Sequence, residues 1–359
     1  MIKHMLVCAA MLSSGVASAG DSLLARSAKD PQPFYHLISI VWEGRHVRAN
    51  NVEALVHFRE AFPNVPVIHF INPAYLSAPG SDGKALRTAL SRVVRPTDQI
   101  GLYLQPFKDF VIAAGVTYRA APSYWGAPAA ADCGVECGSD VPITAYDEEE
   151  ITKLVRFAVR QLKTLGFNSV QSVFVGGWLA SQQVLDVVSA QGFKYDYSAV
   201  PPEIVKDRLS RFPLQLWLTH RWHFVTPDLQ PHMETTRTGQ IAEMGNAFGL
   251  ADYVEIEQTL AQINAYAARS RADPATPLFV HFGMHQETAS DYLPRVVAAL
   301  KALKSLADNG VKVLPLALAG QRPTPVTAPQ QGVSLVLPKQ ASLAVPQAAS
   351  VPRTIGLRP

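Results

Sequence analysis

Short apolar runs alternate with amphipathic stretches along most of the chain. Runs at 35–42, 65–71, 99–104, 169–175, 194–199, 213–219, 277–283 and 311–317 carry many branched residues and few turn signals, which predicts strands. Between them, 51–62, 147–166, 180–191, 255–271 and 290–309 repeat apolar residues at the 3.6-residue period of a helix. Ile151, Leu154, Val155, Ala158, Leu162 and Leu165 show that period most clearly. Asp147, followed by three glutamates, suits a helix start, while Gly166, Gly192 and Gly310 suit helix ends. Such alternation means a parallel sheet, so the fold class is α/β. Eight candidate strands in about 300 residues suit a closed or nearly closed (β/α) barrel with a pocket at the carboxyl ends of its strands. An open doubly wound sheet is the alternative, and the first strand lacks the Gly-rich phosphate loop such a nucleotide-binding sheet would carry.

The two ends of the chain differ from its middle. Residues 1–19 have the pattern of a signal peptide: Lys3 and His4, an apolar stretch from Met5 to Met11, and Ala17-Ser18-Ala19 before Gly20. Export to the periplasm or outside the cell is therefore expected. No later run approaches the roughly 20 apolar residues of a membrane span. The barrel is expected over 20–320, followed at 321–359 by a Pro/Ala/Gln-rich tail without periodicity that reads as disordered. The formal charge is only +3, and one unit leaves with Lys3. That argues against nucleic acid as a partner, and a monomer is the default. Cys133 and Cys137 remain after export; in oxidising surroundings a short-loop disulfide is favoured over a zinc site, which would need ligands not found nearby.

Polar groups cluster where the strands end. Ser39 to Val41 opens into Trp42, Glu43, Gly44 and Arg45, and ligands of α/β proteins gather outside such ends. A salt bridge of Glu43 with Arg45 is the plain alternative. The segment 105–146 is long for a connection and holds both cysteines, Tyr124 and Trp125, as functional loops do.

Taken in order, these strand ends resemble the polysaccharide deacetylase (NodB-homology) family, especially its exported bacterial branch. The resemblance rests on Ser39 to Arg45, His69 to Tyr75, Gly101 to Phe107, Cys137 to Pro142, Gly176-Gly177-Trp178, Tyr195 to Pro201 and His281 to Glu287. It implies a barrel that cleaves an acetyl group with a zinc-bound water, an Asp as base, one Asp and two His as ligands, and a late His as acid. Such cleavage needs a water of lowered pKa and a sink for the oxyanion charge. The chain departs from this pattern at costly positions: Val41 stands where the resemblance places the catalytic Asp, Tyr103 and Gln105 where it places the metal-binding histidines, and Phe174 where it places an Arg. Neither Tyr103 nor Gln105 is a usual zinc ligand. The usual zinc ligands are thus substituted, and metal binding is left open.

Glu43, Asp140 and His285 remain as the candidate catalytic groups, a hydrogen-bonded structural histidine being the alternative for the last. Trp42, Arg45, Tyr103, Gln105, Trp178 and Glu287 are the candidate contacts to a polysaccharide, because rings stack on sugar faces while polar neighbours read hydroxyls. Phe107 and Trp125 also follow strands, and Arg221, Trp222 and His223 follow the run 213–219. Asp196 and Ser198 face the pocket or cap a strand. Glu43 with Glu287 would also permit a two-carboxylate glycosidase. The expected function is an exported protein acting on, or binding without catalysis, an acylated envelope or extracellular polysaccharide.

Overall fold

The computed structural model describes residues 31–44, 46–81, 83–126, 136–316 and the backbone of 326–327. The expected signal peptide, Arg45, Cys133 and nearly all of the expected tail lie outside them.

The chain runs β1 (Phe34–Trp42), α1 (Ala49–Ala61), β2 (Val67–Ile71), α2 (Lys84–Val93), β3 (Gln99–Leu104), α3 (Lys108–Ala113), α4 (Glu148–Thr164), β4 (Ser172–Val175), α5 (Gln182–Ala190) and β5 (Tyr195–Asp196). It continues as α6 (Lys206–Leu209), α7 (Pro213–Arg221), β6 (His232–Thr236), β7 (Gly239–Glu243), α8 (Ile256–Ala272), β8 (Leu278–His285), α9 (Ala289–Asp308), β9 (Val313–Pro315) and β10 (Val326–Thr327). α4 begins at the acidic cluster through a capping box, in which Asp147 accepts from the Glu150 N–H and the Glu150 side chain accepts from that of Asp147.

One curled sheet has the order β10-β6-β7-β5-β4-β3-β2-β1-β8, with β9 beside the start of β1. All neighbours are parallel except β6 and β7, which form an antiparallel hairpin. The end strands of the ladder are β10 and β8, and the chain leaving β7 bridges from the end of β5 to β8. Met244 and Asn246 donate N–H groups to the carbonyls of Asp196 (2.7 Å) and Ala199 (2.6 Å) on one side. Phe248 and Ala251 donate to His281 (3.0 Å) and Gly283 (2.8 Å) on the other. Segment 244–251 thus closes a parallel-rich (β/α) barrel.

Aromatic side chains from strands that are not neighbours meet inside it. Phe70 touches Phe174 and Tyr197 at ring distances of 5.3 and 5.1 Å, and Tyr197 touches His281 at 5.4 Å. His281 stays neutral because burial pushes its pKa down to about 3. Since the Gly245 carbonyl can only accept, His281 Nδ1 donates to it (3.0 Å) and Nε2 accepts from the Ser39 hydroxyl (2.9 Å). This packing needs Gly283, where a methyl would meet the Ser39 hydroxyl and stand 2.5 Å from its carbonyl. Gly283→Ala is expected to lose about 1–3 kcal/mol, read by denaturant unfolding; an unchanged midpoint would contradict so close an approach of β1 and β8.

The sequence expectation fails at 213–219, which is helix α7. Pro213 sits at its first turn, and Leu214 and Leu218, four residues apart, are its buried positions. The hairpin β6–β7 was not expected, because its strands are short and largely polar. Val326–Thr327, inside the expected tail, pair with His232–Met233. Among the described residues no helix is long and apolar enough to cross a membrane.

Candidate functional site

The carboxyl ends of the strands surround a small, narrow cleft. Glu43, Tyr103, Gln105, Trp178 and His285 all line it, Tyr103 and Gln105 from the end of β3 and the others from the ends of β1, β4 and β8. Leu214, Leu250 and Tyr253, which carry no signal in the sequence, complete the walls with Tyr124 and Trp125 of the long 105–146 segment and with Phe174, Gly177 and Ser139.

The charges are set by burial and pairing. His285 Nδ1 lies 2.6 Å from an oxygen of Asp252, and both side chains are largely buried. Burial alone would lower the imidazole pKa; the Asp252 carboxylate outweighs it, helped by Glu43 and Glu287, and raises it to about 9. His285 is thus an imidazolium at neutral pH, with Nδ1–H committed to Asp252 and Nε2–H left as the donor of the pair. On the opposite wall the Tyr124 hydroxyl donates to the Gly176 carbonyl (2.9 Å). Burial, then the charges of Glu43 and Asp140, hold its pKa well above the phenol range, so it stays a neutral donor.

Trp178 is aimed by an unusual backbone. Gly177 (φ 64°) and Trp178 (φ 58°) both occupy the left-handed region, and a side chain at 177 would collide with the Tyr124 ring. A tryptophan held there is strained by about 1–3 kcal/mol and needs fixing from several sides. Its indole donates to Asn246 Oδ1 (3.2 Å), its carbonyl accepts from the Trp222 indole (2.7 Å), and its ring meets Tyr253 edge-on at 5.1 Å. Trp178 therefore forms the floor of the cleft, being only 3% exposed. The half-exposed Trp125, edge-on to Phe212 at 5.0 Å, stands at its rim.

Several expected site residues lie elsewhere. Trp42 is fully buried and turned to the helix layer, where its indole donates to His69 Nδ1 (3.1 Å). His69 in turn meets Asp98 (3.2 Å), whose other oxygen holds Arg59 of α1 (2.8 Å). No sugar can stack on that ring. Glu287 accepts from the N–H groups of Glu43 (3.1 Å) and Gly44 (3.4 Å) and from the Tyr75 hydroxyl, so it fixes the loop after β1 and does not line the cleft. Glu43 and Glu287 do not form a facing pair of the glycosidase kind. Asp140 lies behind the wall, accepting from the Ser123 hydroxyl (2.6 Å), and its carbonyl accepts from the Tyr124 N–H (2.8 Å). Phe107 is buried, Trp222 braces Trp178 from beneath, and His223 is exposed beyond α7. Cys137 is disulfide-bonded, its expected partner Cys133 being outside the described residues.

The donor set does not suit a catalytic zinc. The cleft offers one carboxylate, Glu43, and one imidazole, His285. One carboxylate and one imidazole fall short of the three protein ligands of a catalytic zinc, and Tyr103 and Gln105 do not replace two histidines. Among the described residues no three His, Cys, Asp or Glu side chains come together as a metal site.

No family model matches the chain, and no curated protein matches its sequence. Its structure is similar to that of a Mycobacterium smegmatis protein assigned as a polysaccharide deacetylase, with a TM-score of 0.51 and 10% identity over 86% of this chain and 97% of that one. The fold is that of the polysaccharide deacetylases. A lower similarity is to a CE4 family pseudoenzyme from Bacillus anthracis (TM-score 0.38, 9% identity, 80% of this chain and 65% of that one). Another is to a family 4 carbohydrate esterase from Streptomyces lividans (TM-score 0.37, 7% identity, 81% and 98%).

Proposed function

We propose that this is an exported carbohydrate-binding protein that holds an acylated envelope or extracellular polysaccharide in the cleft without metal-dependent deacetylation. The observation that carries this reading is the donor set of the cleft: His285 at the end of β8, paired with Asp252, stands beside a single carboxylate and two side chains, Tyr103 and Gln105, that are not usual metal ligands. Such a site lacks the means to activate a water on zinc, yet it is well furnished for a neutral sugar. His285 Nε2–H donates to an acyl oxygen, Glu43 accepts from a hydroxyl or amide N–H, and Trp125 stacks on a ring face.

The test pairs three measurements on the purified mature protein: metal content, acetate release from acetylated chito-oligomers or exopolysaccharide, and calorimetric binding of the same glycans. Substoichiometric zinc, no acetate release and saturable binding are expected. Stoichiometric zinc with chelator-sensitive acetate release would overturn the reading and make the protein a deacetylase with an altered site. Absence of binding to any acylated glycan would overturn the choice of ligand.

A further inference from the structure

Asp196 ends β5 and Glu243 ends β7, and the parallel register places them side by side. Both are fully buried. One oxygen of each is accounted for. Asp196 Oδ1 accepts from the Tyr197 N–H (2.9 Å) and the Ser198 hydroxyl (2.6 Å). Glu243 Oε1 accepts from the N–H groups of Ala199 (3.1 Å) and Gly245 (2.8 Å). Among the described residues the other two oxygens, Asp196 Oδ2 and Glu243 Oε2, accept from no N–H or O–H group, while the two side chains lie within hydrogen-bond reach of each other. Two ionised carboxylates in a dry site repel and leave both oxygens unsatisfied; one proton between them removes both penalties.

We propose that Asp196 and Glu243 share a single proton, carried by Glu243, and that this bond is a pH-sensitive latch seating segment 244–251 against the barrel. The position gives the latch its consequence. The same two residues anchor the start of the segment that closes the ring, through the N–H groups of Met244 and Gly245. That segment then delivers Asn246 to Trp178, and the residues that follow it deliver Asp252 to His285 and Tyr253 to the cleft wall.

Among the described residues no neighbouring side chain places a donor on either free oxygen. Arg221 of α7 is the cation facing the pair, but its Nε–H is spent on the Ala180 carbonyl (2.5 Å), and Glu234 of β6, itself bonded to His232 (3.2 Å), shares its charge. On α5, Asp186 is taken by Arg237 of the hairpin turn (2.8 Å). Tyr197, next along the chain, stays protonated because burial raises its pKa. Burial first, and then the charge of Asp196, push Glu243 well above the carboxylate range. Since the folded value is raised, the contribution to stability is complete below the ordinary glutamate value of 4.5 and is lost as pH rises through the folded value.

Glu243→Gln tests this directly, because a carboxamide donates to Asp196 Oδ2 at every pH while keeping the acceptor for Ala199 and Gly245. Thermal midpoints of wild type and variant are compared from pH 5 to 8, and the His285 contribution that fades between 6.5 and 9 is common to both and cancels in their difference. At pH 8 the variant is expected to melt about 2–4 °C higher than wild type, with a flatter pH slope, and amide exchange over 244–251 is expected to slow. Asp196→Asn is the second variant, since its amide would donate to Glu243 instead. The latch is overturned if neither variant raises the midpoint at pH 8, whether by misfolding or by indifference, or if both retain the wild-type slope.

Discussion

Asp252→Asn is expected to return the His285 imidazole from about 9 to its ordinary 6.5 or below, because the burial that disfavours the cation remains while its main counter-charge is gone. The sign of the stability change follows. A histidine whose folded pKa is raised stabilises the fold fully below 6.5, progressively less between 6.5 and 9, and not at all above. A rise of that size corresponds to about 3 kcal/mol. With both side chains only about a tenth exposed, solvent screening takes little of it. The variant should therefore be less stable than wild type by about 3 kcal/mol at pH 6, with the gap nearly closed at pH 10. Denaturant titrations at the two pH values, with an NMR titration of His285, give the answer. A gap that does not depend on pH would mean that Asp252 acts through shape alone. Glycan binding should be lost in parallel at pH 7.5, where wild type presents an imidazolium and the variant a largely neutral ring.

That residue was not legible in the sequence, and the reason is physical. Strands buried on both faces announce themselves as apolar runs, which exposes β1, β3 and β8 and hence the positions of Glu43, Tyr103, Gln105 and His285. Asp252 and Tyr253 follow a strand without that signature: β7 lies in a polar hairpin, whereas the apolar run 213–219 is helix α7 packed outside the barrel. With the wrong run taken as a strand, the residues beyond β7 had no strand end to belong to. The direction of Trp42 was hidden for a related reason. Adjacent strand residues point to opposite faces, but where both faces are apolar the pattern carries no parity, so a tryptophan at a strand end reads equally as cleft wall or as core. Glu287 adds a third case. Its place after β8 follows from the chain, whereas its role in receiving the N–H groups of Glu43 and Gly44 depends on the turn after β1.

The two tryptophans give the largest and most separable effects. Trp42→Ala removes a fully buried ring and leaves His69 Nδ1 without its donor. Large-to-alanine changes of this kind cost about 3–5 kcal/mol, so the midpoint should fall steeply. The glycan affinity of the protein that remains folded should not change, since the ring lies on the far side of β1 from the cleft. Trp125→Ala should behave in the opposite way. Its ring is half-exposed at the rim and packs mainly against Phe212, so unfolding should shift by about 1 kcal/mol or less. Binding should weaken about tenfold, the factor that 1.4 kcal/mol of lost stacking produces. Unfolding curves and calorimetry on the same two preparations decide between these roles. Weakened binding in Trp42→Ala with normal stability would put that ring in the cleft after all, and full affinity in Trp125→Ala would remove that ring from the recognition surface and leave stacking to the aromatic side chains deeper in the cleft.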